Sequence, residues 1–429
     1  MPTYPTEITV EPLAGACSAR FTDLPGSKSL TNRALVIAAL ADGASRIEGA
    51  LDSDDTRVML DSLKRLGFGV VNDTPPGTIR IEGRGGLIPN ASADLFVENS
   101  GTSLRFLTAL VALGHGTYRL DGIPRMRARP VADLLLALNR LGAHARSEND
   151  TGCPPVVVEA DGLDGGYTDV AGDISSQFLS GLLMALPRAK QPTTIEVQGT
   201  LVSVPYVEMT LRVMESFGVR ISQKGYKRFQ ILPQRYVPTK YRVEPDASAA
   251  SYWFGAAAIT AGTTRVEGLG RDSIQGDLAF VDVLEFMGCR VNRGPDFTEV
   301  TGGPLRGVDI DMNAISDTVM TLAVVALFAS GITRIRNVAH IRHKETDRIA
   351  AVACELRKLG VTVEELPDGL LIVPPNSIPP ARIQTYNDHR MAMAFALAGL
   401  RANGITIEDP GCVSKTYPAF WDDLARLRP

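Results

Sequence analysis

Cysteine, basic excess and long apolar runs are all scarce in this 429-residue chain, and each scarcity closes off a class of function. The five cysteines are Cys17, Cys153, Cys289, Cys354 and Cys412. They are odd in number, scattered, and never form a C-x-x-C pair. That reads as reduced thiols in a cytoplasmic protein, with neither a disulfide framework nor a zinc site. Acidic residues outnumber basic ones, 48 against 44, for a formal net charge of -4. A nucleic-acid binder would show the opposite balance. Anionic small molecules stay open, because a local basic patch can sit in an acidic protein. The longest apolar run, Val319 to Ala329, is too short to span a bilayer and reads as a buried helix. Met1 to Val10 lack a basic stretch followed by an apolar core, so no signal peptide is expected. No H-E-x-x-H, calcium-binding loop or dinucleotide glycine fingerprint occurs. The stretch Gly26-Ser27-Lys28-Ser29 lacks the first glycine of a phosphate loop. No metal, nicotinamide or nucleotide cofactor is therefore expected.

What the chain does have is an internal repeat. One pattern recurs six times at a period of roughly seventy residues. An apolar helix ends near a glycine, and a short strand beginning with Thr or Ser follows. A polar loop, a second helix closing on an apolar residue and glycine, and another strand complete the unit. The first strands read Ser45–Gly49, Thr117–Gly122, Thr194–Gly199, Thr264–Gly268, Thr333–Asn337 and Thr406–Asp409. The second helices close at Leu66-Gly67, Leu141-Gly142, Phe217-Gly218, Met287-Gly288 and Leu359-Gly360. Glycine just past the last apolar position is the usual left-handed stop. Generic α/β alternation would not place five such closures in register. A single unit cannot bury its apolar helix, but three packed together could make a domain and six would make two. The proline-spaced stretch Gln234–Pro245 is the expected border. The strand Thr6–Pro12 precedes the first unit, and the last unit lacks a closing strand, so a loan between them is expected.

Cations recur where helices begin. Ser27 is a good N-cap for a helix in which Ser29 and Arg33, four apart, share a face. Lys28 and Arg33 lie at the positive end of that helix dipole, a placement that an anion would reverse. Similar groups precede other helices: Arg125, Arg127 and Arg129; Lys344 and Arg348; Arg390; and Lys415. One such cluster would usually be a solvated loop. Equivalent placement in several units points to a site for several negative charges. Donor-rich loops accompany them at Asn99–Ser103, where Gly101 admits close backbone approach, and at Asp173–Gln177. Asp317, opening the apolar run, and Glu345, beside Lys344 and Arg348, fit acid–base work. Alone they would read as a helix cap and an ion-pair partner.

These loops closely resemble the 5-enolpyruvylshikimate-3-phosphate synthase family across essentially the whole chain. The resemblance is carried by Leu24–Ser29, Asn99–Thr102, Pro124–Met126, Ser175–Phe178, Lys344–Arg348 and Asp388–Ala392. It implies an α/β fold of two similar domains, each of three βαβαββ units in an inside-out α/β barrel, with the active site in the interdomain cleft. Residues 26–245 would form one domain, and residues 1–25 with 246–429 the other. The implied reaction moves the enolpyruvyl group of phosphoenolpyruvate to the 5-hydroxyl of shikimate 3-phosphate, releasing phosphate, in a cytoplasmic monomer.

By the same resemblance, Lys28, Ser29, Arg33, Ser175, Ser176, Gln177, Ser203, Tyr206, Asp317, His340 and Lys344 would hold shikimate 3-phosphate. Lys28, Gly101, Arg129, Gln177, Arg348, Arg390 and Lys415 would hold phosphoenolpyruvate. Asp317, Glu345 and Lys28 would carry the proton transfers. Many family members have asparagine where His340 stands and proline where Phe106 stands. Phe106 is expected near the start of the helix after Gly101, where a change of tilt could alter the response to glyphosate. The rival with the same fold is UDP-N-acetylglucosamine enolpyruvyl transferase. It usually has a cysteine near the Arg129 position and a Lys-Asn pair at the first helix. This chain has no cysteine between Cys17 and Cys153, and has Lys28-Ser29.

Overall fold

The computed structural model describes residues 4–427. The six repeated strands become Ala44–Glu48, His115–Asp121, Thr193–Gln198, Thr263–Glu267, Thr333–Arg336 and Ile405–Glu408. Each lies inside a separate small sheet, and the sheets share one plan. His115–Asp121 has Ser92–Phe96 as its parallel neighbour. On its other side lies Val156–Asp161, antiparallel, which hairpins to His144–Ser147. Five sheets have four strands in this order and the sixth has three. In the sixth, Glu7–Val10 pairs antiparallel with Ile405–Glu408, where the other sheets place a hairpin arm. The loan expected from the incomplete last repeat is thus made by the N-terminal strand. Its register sets Ile8 against Ile407 and Val10 against Ile405.

The chain forms two compact units, Met1–Pro25 with Glu244–Pro429, and Gly26–Val243. In the second of these, helices α1 (Lys28–Leu40), α2 (Gly101–Val111) and α3 (Ser176–Ala185) form the core. In the other, α4 (Ala247–Thr260), α5 (Val319–Val325) and α6 (His389–Gly399) do so. Nearly every residue of these six helices is buried. A helix without a polar face belongs inside, so helices occupy each core and sheets cover it. The run from Val319 is α5, continued by a tighter turn over Ala326–Phe328.

The second helix of each repeat is amphipathic and lies outward. Asp54–Arg65, for example, buries only Asp55, Thr56, Met59, Ser62 and Leu63. The closing glycines Gly67, Gly142, Gly218, Gly288 and Gly360 have φ between +79° and +118°, a region that other residues enter at a cost. Five of the six core helices begin on a side-chain cap: Ser27, Ser100, Ser175, Asp246 and Asp388. Of the predicted site residues, Lys28, Ser29, Gly101, Ser175, Ser176, Gln177 and Arg390 fall at these helix starts. No helix among the described residues is long and apolar enough to cross a membrane.

Candidate active site

In unit 26–243 the starts of α1, α2 and α3 are each capped by a serine hydroxyl. Ser27 accepts from Leu30 N, Ser100 from Ser103 N at 3.3 Å, and Ser175 from Gln177 N at 3.2 Å. Lys28, the first residue of α1, is buried, with its ammonium 3.5 Å from Asp55 Oδ2. Gln177 donates from Nε2 to Thr102 Oγ1 at 3.3 Å and so ties the start of α3 to the start of α2. Ser176 is buried beside it, and Ser203 precedes helix Val204–Ser216 with φ +54° and makes no side-chain cap to it.

Arg33 turns inward. Its Nε donates to Thr210 Oγ1 at 2.8 Å, Nη1 to Ser29 O at 2.9 Å, and Nη2 to Tyr206 O at 3.0 Å. The guanidinium also lies 5.1 Å from the centre of the Phe106 ring. Burial with no carboxylate partner lowers its pKa to about 10. Arg33 therefore brackets Ser29 and Tyr206 from below, where spacing alone had put it at the mouth of the helix.

Two other expectations change here. The sequence sets Arg129 just before the helix that follows it. Instead its Nη1 donates back to Asn99 O at 3.0 Å, at the start of α2. Of its loop neighbours, Arg127 pairs with Asp121 at 2.6 Å. A Cβ on Gly101 would lie 2.3 Å from Arg129 Nη2 and 2.5 Å from Arg105 Nη1. The space beside Gly101 is thus filled by two guanidinium groups. Phe106 is the sixth residue of α2, fully buried in mid-helix rather than near its start.

Unit 1–25 with 244–429 collects the remaining residues into an ion network. Asp317 sits on the turn Asn313–Thr318. Its Oδ1 accepts from Lys344 Nζ and from Arg348 Nη1 at 3.2 Å, and its Oδ2 accepts from Arg390 Nη2 at 2.7 Å. Arg348 opens helix Arg348–Lys358 and also donates to Glu345 Oε2 at 2.9 Å and Asp388 Oδ2 at 2.8 Å. Asp388 caps α6 by accepting from Arg390 N at 2.9 Å. Arg390 Nη1 reaches the Tyr252 hydroxyl at 3.5 Å. Lys415 ends the turn Pro410–Lys415, which packs on α6, and is half-buried.

Burial lowers the pKa of Lys344, only partly offset by Asp317. Burial acts on Arg348 in the same sense, yet Asp388, Glu345 and Asp317 outweigh it and raise its pKa. His340, on the turn Ala339–His343, is pushed down to about 3 by burial and then by Lys344 and Arg348, so it is a neutral imidazole. Sequence reading missed Asp55, Asn99 and Asp388 as partners of these cations, and Thr102 as the partner of Gln177. Asp388 carried a signal, since an aspartate just before His389-Arg390 and an apolar run is a helix cap. Asp55 carried none beyond helix-cap chemistry.

The family described as EPSP synthase (3-phosphoshikimate 1-carboxyvinyltransferase) matches residues 18–424. A 3-phosphoshikimate 1-carboxyvinyltransferase of Nostoc punctiforme is 54% identical over 401 residues, covering 93% of this chain and 94% of that protein. One from Aeromonas salmonicida is 50% identical over 409 residues, covering 94% and 95%. The solved EPSP synthase of Acinetobacter baumannii superposes with TM-score 0.81 at 26% identity, covering 98% of this chain and 97% of that one. With half its residues shared by such relatives along nearly its whole length, and with their fold, the chain belongs to the EPSP synthase family.

Proposed function

We propose that the two clusters carry the reaction for which the relatives are named, with a defined division of work. The reaction is transfer of the enolpyruvyl group of phosphoenolpyruvate to the 5-hydroxyl of shikimate 3-phosphate. Ser29, Ser175, Ser176, Ser203 and Tyr206 hold shikimate 3-phosphate, with Lys28 and Gln177 shared and Arg33 fixing Ser29 and Tyr206. Lys344, Asp317 and neutral His340 are assigned to the same substrate. Gly101, Arg129, Arg348, Arg390 and Lys415, with Lys28 and Gln177, hold phosphoenolpyruvate. The observation that carries this reading is one carboxylate, Asp317, gathering Lys344, Arg348 and Arg390. A carboxylate so held is an acceptor whose cations can turn to the anionic substrates.

The chemistry balances without a metal, nucleotide or protein nucleophile. The 5-hydroxyl oxygen bonds to C2 of phosphoenolpyruvate as its proton passes to Asp317, and C3 gains a proton through Glu345 or Lys28. The tetrahedral intermediate then returns a proton from C3 as the C2–O bond to phosphate breaks, leaving the enol ether. Fixed cations offset charge on two phosphates and a carboxylate throughout. The free thiols of Cys17, Cys153, Cys289, Cys354 and Cys412 support a cytoplasmic setting. The test is phosphate release that requires both substrates. Release with UDP-N-acetylglucosamine in place of shikimate 3-phosphate would overturn the choice of acceptor.

A further inference from the structure

Helix Arg348–Lys358 does more than present Arg348. Two turns further along it lies Glu355, whose carboxylate is fully buried. Such a group is costly unless its oxygens are satisfied. Lys358, 2.7 Å from Oε2, could satisfy it alone. Instead Glu355 also grips the loop before α6 at two points. Gln384 N donates to Oε2 at 3.0 Å, and the Tyr386 hydroxyl donates to Oε1 at 2.7 Å. Burial, then hydrogen bonds involving Cys354 and Glu355, raise the pKa of Tyr386, so the phenol keeps its proton to donate.

The gripped loop is strained. Tyr386 has φ +55° and Asn387 has φ +52°, two consecutive left-handed residues without glycine. A bulky residue keeps this conformation only where its surroundings impose it. The next residue is Asp388, whose amide donates to Thr385 O at 2.9 Å. Its carboxylate takes Arg348 Nε and the Arg390 amide. One helix therefore fixes Arg348 directly and, through Glu355, the loop that carries the carboxylate partner of Arg348.

We propose that Glu355 and Tyr386 are positioning residues for the family's reaction, holding Gln384–Asp388 in the left-handed turn that sets Asp388 against Arg348 and Arg390. They touch no substrate. This rests on the reading of Arg348 and Arg390 as phosphoenolpyruvate ligands.

The test is steady-state phosphate release with both substrates varied in the full chain. The variants are Tyr386→Phe, Glu355→Gln, Arg390→Lys and the double variant Tyr386→Phe with Arg390→Lys. Thermal midpoints are measured alongside. Tyr386→Phe keeps the ring and deletes only the donor. It is expected to raise KM for phosphoenolpyruvate about tenfold, the scale of coupling within one hydrogen-bond network. KM for shikimate 3-phosphate should move less than about twofold, and Glu355→Gln should follow the same split. In the Arg390→Lys background the effect of Tyr386→Phe should be smaller than in the parent, with the route through Arg348 still open. The inference is overturned if Arg390→Lys raises KM for phosphoenolpyruvate while Tyr386→Phe leaves it unchanged. It is also overturned if the two effects simply add, or if Tyr386→Phe weakens both substrates alike. Should Arg390→Lys itself leave that KM unchanged, the reading of Arg390 fails and the inference goes with it.

Discussion

Arg33, in the middle of α1, and Arg348, opening helix Arg348–Lys358, are both fully buried, yet their pKa values move in opposite directions. Burial lowers Arg33 to about 10, because its partners are hydroxyls, carbonyls and the face of Phe106. Burial acts on Arg348 too, but three carboxylates outweigh it and raise the value. In unit 26–243 Arg33 leans on neutral acceptors, while Lys28 lies beside Asp55 and Arg127 pairs with Asp121. In the other unit Lys344, Arg348 and Arg390 are already matched by Asp317, Glu345 and Asp388. In the first arrangement Arg33 holds Ser29 and Tyr206 through neutral groups. The second stores its charge in a preorganised network that a substrate must rearrange, and it contains the acceptor needed for proton transfer.

The largest effect is expected from breaking the matched network. Asp317→Ala removes the acceptor and leaves three cations without their common carboxylate. Turnover should fall about 10²–10⁴-fold, the usual contribution of a positioned base. Binding of the anionic substrates should survive, because the freed cations favour anions. Rapid-quench turnover with calorimetric binding of shikimate 3-phosphate checks both halves. Near-normal turnover would remove Asp317 from the mechanism.

The next effect tests the neutral surroundings of Arg33. Phe106→Pro places proline in the interior of α2, where it removes a helix hydrogen bond at a cost of about 3 kcal/mol. It also strips the ring from beneath Arg33. A clear drop in thermal midpoint is expected, with glyphosate inhibition changed only as a by-product. An unchanged midpoint would mean that α2 starts later than Gly101 in solution. Smaller still is Gly101→Ala, whose methyl must push aside Arg129 and Arg105. Displacing packed groups costs about 1–3 kcal/mol. KM for phosphoenolpyruvate and the inhibition constant for glyphosate should both rise, while KM for shikimate 3-phosphate stays put. A rise confined to shikimate 3-phosphate would detach Arg129 from phosphoenolpyruvate.

The repeats were legible in the sequence because their signals are local. Each closing glycine, strand start and apolar helix can be read within a dozen residues. The loan of Glu7–Val10 was legible by counting, since one repeat was a strand short. The cations were legible as residues but not as contacts. Arg33 finds Thr210, Ser180 and Tyr206 at separations of 177, 147 and 173 positions. Nothing within α1 says that the guanidinium turns inward. Arg348 likewise meets Asp388 across 40 positions. The sequence of Arg129 and its neighbours suits a helix start, yet tertiary packing aims that side chain back at α2. Helix type follows local chemistry, whereas the direction of a long cationic side chain follows the nearest acceptor in space.

The smallest effect concerns His340, a neutral donor set among cations. Its folded pKa of about 3 lies below the ordinary histidine value of 6.5. Between those values the unfolded chain binds a proton that the folded chain does not. Stability therefore falls as pH drops below about 6.5, by about 1.4 kcal/mol per pH unit while the difference holds, as linkage requires. Lys344 has the same sign, but its window lies between its lowered pKa and the ordinary 10.5, so it adds slope towards alkaline pH. Replacing the imidazole by an amide removes the acidic window while keeping a donor. His340→Asn should thus show a smaller loss of thermal midpoint between pH 7.5 and pH 5 than the parent does. It should bind shikimate 3-phosphate about as well at pH 7.5, where both donors are neutral. An equal loss in the two proteins would mean that the imidazole protonates in the folded state as it does in water. His340 would then be a third cation beside Lys344 and Arg348, and the network around Asp317 would no longer be charge-matched at acidic pH.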